Sequence, residues 1–134
     1  MMYSLIDLPK NMIGFKAQWQ ITERDCNEVL QPAVENHLQK AENINCVLVL
    51  NNFNEHLKNS ALKSLKYFIK WRSKVKRIAI VAESEALKKI IGVLNTLMPA
   101  ELKGFSSDEL KMAIDWAGNE VEHEATVFDS GLNV

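Results

Sequence analysis

Apolar and polar residues alternate along this chain in two rhythms, one of period two and one of period 3.6, that succeed one another. Tyr3–Leu8 reads as a short strand closed by the turn Pro9-Lys10-Asn11. Met12–Ile21 reads as a second strand, with Ile13, Phe15, Ala17, Trp19 and Ile21 on one face. The Pro/Asn turn between them predicts an antiparallel hairpin. Thr22 is placed to cap a helix, with Asp25 three residues on in the manner of a capping box, and helical spacing continues to about Ala41. Pro32 falls inside that pattern, so a kink or break is expected near Leu30-Gln31.

Cys46–Leu50 is a compact apolar and β-branched run, expected to be a strand covered on both faces. A polar loop, Asn51–Asn54, leads into a long amphipathic helix from His56 to about Lys74. Arg77–Ala82 is again a strand, Ser84 is placed to cap a helix over Glu85–Leu97, and Met98-Pro99 ends it. Glu101–Phe105 has the charged pattern of an edge strand, and Ser107 is placed to cap a last helix that carries Leu110, Met112, Ala113, Ile114 and Trp116 and stops at Gly118. The order is ββαβαβαβα. It predicts a single α/β domain over residues 1–118, a mixed five-stranded sheet with parallel pairing through helical crossovers after an antiparallel start. Residues 119–134 are rich in Glu and poor in apolar anchors and read as a loosely attached acidic tail, with Ala125–Phe128 able to form a short strand.

At 134 residues the chain is one domain in size, long enough to bury roughly two-thirds of its unfolded surface. Five Gly and three Pro leave no room for a low-complexity segment, and 16 basic against 17 acidic residues argue against a polybasic nucleic-acid binder. Cys26 and Cys46 lack the spacing of a zinc site and fit a reducing cytosol better than a disulfide scaffold. The first ten residues lack the pattern of a secretory signal, and the most apolar stretch, Ile90–Pro99, is about ten residues long, too short to span a bilayer. A cytoplasmic protein is expected, with contact at the inner face of the membrane left open.

Several strings, in this order, resemble the SpoIIAA-like family of small bacterial proteins: Asn11-Met12-Ile13-Gly14-Phe15-Lys16-Ala17, Val29-Leu30-Gln31-Pro32-Ala33, Ile78-Ala79-Ile80-Val81, and Leu97-Met98-Pro99-Ala100-Glu101 leading to Phe105. That family belongs with the STAS domains and shares features of the CRAL-TRIO lipid-transfer fold. The resemblance implies a mixed sheet with helices and a non-catalytic protein that binds a hydrophobic or lipid-like ligand and associates with membranes. STAS relatives that antagonise anti-sigma factors carry an Asp-Ser-Ser-Gly-Leu-like string in which a serine is phosphorylated. The stretch similar to it here is Lys58-Asn59-Ser60-Ala61-Leu62, so the resemblance points to Ser60 as the phosphosite of a regulatory protein-interaction module. Lys58 stands in the acidic position and Ala61 in the glycine position.

The distribution of charge changes the picture that the net charge of −1 suggests. Residues 58–77 hold eight basic residues and no acidic one, while the rest of the chain holds eight basic against 17 acidic. At 100° per residue, Lys63, Lys66, Lys70 and, if the helix lasts that far, Lys74 form a stripe about 80° wide. Leu57, Ala61, Leu65, Phe68 and Ile69 lie opposite, with Tyr67 and Trp71 on the seam. Such a helix either packs on a sheet with its lysines solvated, or lies at an anionic membrane surface with its aromatics at headgroup level. The following helix is apolar around most of its circumference, with Leu87, Ile90, Ile91, Val93, Leu94, Leu97 and Met98, more than one sheet can cover. The two helices are therefore expected to flank a hydrophobic cleft, with Gly92 loosening the second so that it opens. Tyr67, Phe68, Trp71, Ile91, Leu94 and Met98 are the candidate contacts to a lipid-like ligand, and Lys63, Lys66 and Lys70 the candidates for its anionic headgroup or for the membrane. Apolar helices of this kind also make a homodimer an expected partner state.

Other chemistry is thinly represented. His37, His56 and His123 lie in different elements without carboxylate or thiol at ligand spacing and read as surface histidines, so no metal and no cofactor are expected. Cys26 sits in the first turn of a helix, where the dipole would lower its pKa, but reads as a structural thiol, as does Cys46. The glycines are isolated, which argues against a phosphate loop. Glu83 and Glu85 lie at the end of a parallel strand, where open sheets place their sites, but helix-capping acids are the commoner explanation of such a position. Trp19 and Trp116 are assigned to the core. An enzyme and a nucleic-acid binder are both disfavoured.

Overall fold

The computed structural model describes residues 1–52 and 54–118. Its elements run β1 (Met2–Ser4), β2 (Met12–Gln18), α1 (Glu23–Asp25), a π-turn (Cys26–Leu30), α2 (Gln31–Leu38), β3 (Ile44–Asn51), α3 (Glu55–Ile69), β4 (Val75–Val81), α4 (Ser84–Leu97), β5 (Glu101–Phe105) and α5 (Leu110–Gly118). The strands form one sheet in chain order, β1-β2-β3-β4-β5. β1 is antiparallel to β2 and all other neighbours are parallel. The expected mixed five-stranded α/β architecture is thus observed.

Because each parallel strand is added on the same side of the last, crossovers of one hand put their helices on one face. Phe15, Cys46, Leu50, Ile78 and Ile80 meet Leu30 and Val34 of the first helical segment, Leu57 of α3 and Ile90 and Leu94 of α4. The alternate strand positions Val47, Val49, Ala79 and Val81 meet Ala113 and Ala117 of α5 on the other face. β3 is therefore covered on both sides, as its unbroken apolar run requires.

Local chemistry explains the boundaries that differ from those expected. β1 ends at Ser4 rather than Leu8, because Asp7 takes a left-handed backbone (φ 59°) that no strand accommodates. β2 ends at Gln18 because Trp19 is also left-handed (φ 67°). Thr22 caps α1 in the expected box: its Oγ1 accepts the Asp25 N–H at 3.0 Å while Asp25 Oδ2 accepts the Thr22 N–H at 2.9 Å. Pro32 has no N–H for a four-residue-back bond, and the turn before it widens so that the Gln31 N–H bonds to the Cys26 carbonyl five residues back. The expected interruption is thus a π-turn. α3 stops at Ile69, and tight turns carry the chain to β4 with the Lys74 N–H on the Trp71 carbonyl at 2.8 Å, which takes Lys74 off the basic stripe. α4 begins at Ser84 itself, behind Glu83, which makes no side-chain cap. Ser106 rather than Ser107 organises the start of α5: Glu109 Oε1 accepts its N–H at 2.8 Å and its hydroxyl at 2.9 Å. The expected acidic tail and His123 lie outside the described residues.

Candidate functional site

The site is built on α3. Asn54 Oδ1 accepts the Leu57 N–H at 2.9 Å and fixes the helix start, and Leu57 is fully buried against the sheet. That anchor sets the rotation of everything that follows. Lys63, Lys66 and Lys70 emerge into solvent, and among the described residues none of the three forms an ion pair. Beneath them lie aromatic rings: the Lys66 Nζ stands 5.2 Å from the Tyr67 ring centre and the Lys70 Nζ 4.4 Å from that of Trp71. Trp71 meets Phe68 edge to face at 6.2 Å.

Phe68 leads inward. With Leu94 and Met98 from the α4 side, it lines an apolar cavity of about 60 Å³ between α3, α4 and the sheet. Leu30, Cys46, Leu48, Ile78 and Ile90 complete much of its wall. Ser64 contributes the one hydroxyl of the lining, and it is satisfied by the Ala61 carbonyl at 2.7 Å. The space is large enough for water but offers it almost no hydrogen-bond partner, the condition under which a cavity stays dry. Burial pushes the Cys46 thiol in its wall up to about 12.

A second, shallow pocket of about 140 Å³ opens on the outer side of α3, lined by Thr22, Glu23, Ser60, Lys63, Lys66 and Tyr67 among others. Ser60 is half-buried in the second turn of α3. Its Oγ accepts the Ile21 N–H at 2.8 Å and donates to the Leu57 carbonyl at 3.2 Å, tying the β2–α1 loop to the helix. Burial, together with the Glu23 carboxylate and Cys26, raises the Tyr67 phenol above its ordinary value.

The predicted contacts therefore separate. Phe68, Leu94 and Met98 come together on the cavity, Tyr67 joins Lys63 and Lys66 on the outer pocket, and Trp71 and Ile91 line neither. Trp71 is 8% exposed and sits under Lys70, so it is a core ring and not a seam residue at headgroup level. The exposed tryptophan is Trp19, at 58%, which the strand pattern had assigned to the core; its left-handed backbone turns it out of the sheet. Trp116 does pack, against Phe105 at 6.1 Å and under the Arg77 guanidinium at 4.6 Å. His37 is buried rather than on the surface, its Nε2–H donating to the Asn43 carbonyl at 2.9 Å. The Cys26 thiol moves opposite to the dipole expectation: burial raises it, then Asp25. Glu83 and Glu85 are exposed. Cys46, Leu48 and Ile78 were missed as cavity residues because an all-apolar strand shows nothing in sequence to mark the position where packing is incomplete.

The SpoIIAA-like family profile matches residues 12–118. The chain belongs to the SpoIIAA-like family. Among solved structures, this SpoIIAA-like chain is similar to an uncharacterized protein of the DUF3478 family with a SpoIIAA-like fold from Shewanella loihica, at 25% identity and a TM-score of 0.64, over 87% of this chain and 93% of the other. No curated protein matches it. The SpoIIAA-like assignment makes the domain a STAS-type module, in a family that is generally non-enzymatic. Among the described residues, no helix is long and apolar enough to cross a membrane.

Proposed function

We propose that this SpoIIAA-like protein is a non-catalytic binding module for a lipid-like anion, which it takes up between α3 and α4 while resting on an anionic membrane surface. One observation carries the reading: the apolar cavity lined by Phe68, Leu94 and Met98 lies under the same helix that presents Lys63, Lys66 and Lys70 to solvent. An acyl chain and its headgroup need these two environments within one helix diameter of each other.

At about 60 Å³ the cavity is a starting point for a chain, well below the roughly 300 Å³ at which small-molecule sites begin. Entry requires α4 to move away. Gly92 lies midway along α4, and the helix has no side-chain cap at its start. Uncovering Ile90, Leu94 and Met98 in water costs roughly 5–9 kcal/mol, at about 1.5–3 kcal/mol for each buried apolar side chain. A bilayer surface offsets that cost, so uptake is coupled to membrane contact. Trp19 supplies the exposed indole, on a loop that Ser60 ties to α3. Ser60 itself is committed to that tie and does not carry the reading.

Co-sedimentation with vesicles of phosphatidylglycerol and phosphatidylcholine tests the proposal. Binding to anionic vesicles is expected, with loss of roughly 100-fold when Lys63, Lys66 and Lys70 are changed to Glu, from about 1 kcal/mol for each basic residue near an anionic surface. Native mass spectrometry of the protein purified from cells should show a bound lipid. Equal binding to neutral vesicles, or no effect of the triple change, would sink the idea.

A further inference from the structure

At the opposite end of the sheet, away from α3, the structure assigns a second binding site, a groove for a small amphipathic carboxylate. Its origin is the shortness of β1. The Leu5 N–H still reaches the Gly14 carbonyl at 2.9 Å, but the chain then turns through left-handed Asp7, and the Met12 N–H bonds back to Pro9 at 3.2 Å. The first residues of β2 thus have a loop beside them instead of a strand. Between that loop and the last turns of α2 lies a groove of about 310 Å³, several times the volume of the internal cavity.

The lining divides by chemistry. Leu5, Leu8, Met12, Ile13 and Ala33 make an apolar floor that is buried or half-buried. Lys10 from the loop and Lys40 from beyond α2 also line it, as do the polar residues Ser4 and Asn36. No carboxylate lines the groove among the described residues, although the chain as a whole has 17 acidic side chains, and neither lysine is ion-paired there. The C-terminus of α2 also faces this region, and its partial negative charge opposes an anion. Two of its last carbonyls are already occupied: Asn36 O accepts the Gln39 N–H, and His37 O accepts those of Lys40 and Ala41. Two whole positive charges outweigh the half charge that remains. The occupant that matches is an apolar body with one anionic head. At about 30 Å³ per water-sized group, the volume holds roughly ten non-hydrogen atoms, the size of octanoate.

This site is independent of the proposed function, and its test separates the two. Octanoate is titrated into the full chain and followed by amide chemical-shift mapping and calorimetry, with octanol as the uncharged probe. Saturable shifts are expected at Leu5, Leu8, Ile13, Asn36 and Lys40. Affinity should fall at least about tenfold in the Lys10→Gln/Lys40→Gln double variant, the ratio carried by one charge-assisted hydrogen bond. Octanol should bind at least tenfold more weakly than octanoate, and changing Lys63, Lys66 and Lys70 to Glu should leave octanoate affinity unaltered. The inference is overturned by absent saturation, by shifts centred on Phe68, Leu94 and Met98, by octanol binding as well as octanoate, or by a double variant that binds like the parent.

Discussion

Trp19 shows how one backbone angle can decide where a large side chain goes. A bulky residue at φ 67° is out of its preferred region, at roughly 1 kcal/mol or more for an L-residue. The strain places the indole in solvent instead of on the apolar face of β2. Trp19→Gly is expected to raise stability by up to about 1 kcal/mol in urea titrations, and to weaken binding to anionic vesicles severalfold. A loss of stability, or unaltered vesicle binding, would assign the residue a structural role only. The thiols make a second prediction at this scale. Cys46, pushed up to about 12 by burial, stays protonated in the folded state while the unfolded chain ionises from its ordinary value of 9.0; the Cys26 thiol is raised in the same direction, chiefly by burial. Above that value the unfolded state binds fewer protons, so the Cys46 contribution is full below pH 9 and is lost as pH rises toward 12, at up to about 1.4 kcal/mol per pH unit. Urea midpoints measured from pH 8 upward should fall, and fall less steeply in Cys46→Val.

Two glycines make opposite predictions about the elements that carry them. A Cβ on Gly14 would lie 2.6 Å from Val47 Cγ1 and 2.8 Å from Leu8 Cδ1, so β2 accepts no side chain where the Leu5–Leu8 loop crosses it. Gly14→Ala should cost about 1–3 kcal/mol by urea unfolding, the usual penalty of overpacking. A Cβ on Gly92 meets nothing within 4 Å. Gly92→Ala should stabilise α4 by about 0.5–1 kcal/mol and, if opening of α4 admits the ligand, slow lipid uptake measured by fluorescent-lipid transfer. Faster or unchanged uptake would place the moving part elsewhere. α3 illustrates a different lesson, because its basic stripe was legible from spacing while its aromatic seam was not. Tyr67 lies on α3, yet the helix ends at Ile69 and the turn that follows folds Trp71 under Lys70. A helical wheel cannot anticipate that displacement.

For the whole molecule, a net charge of −1 hides one basic helix on an otherwise acidic chain. Not all of the eight cations in residues 58–77 contribute: Lys58 pairs with Glu55 at 3.0 Å, and buried Arg77 donates to the Trp116 carbonyl at 2.7 Å. The attachment proposed for the remaining exposed lysines is screened over about 10 Å at 0.1 M salt and about 3 Å at 1 M. Anionic vesicle binding should therefore fall steeply between those salt concentrations, and salt-insensitive binding would point to apolar insertion instead. The order and type of the elements, the double covering of β3 and the capping at Thr22 were set by the sequence alone, because each follows from contacts within a few residues or from the period of burial. Tertiary structure alone decided which apolar side chains surround the cavity, which tryptophan meets solvent, and that a groove opens beside β2. Each of those depends on how closely two elements distant in the chain approach, and apolar composition is the same whether packing between them is complete or leaves a space.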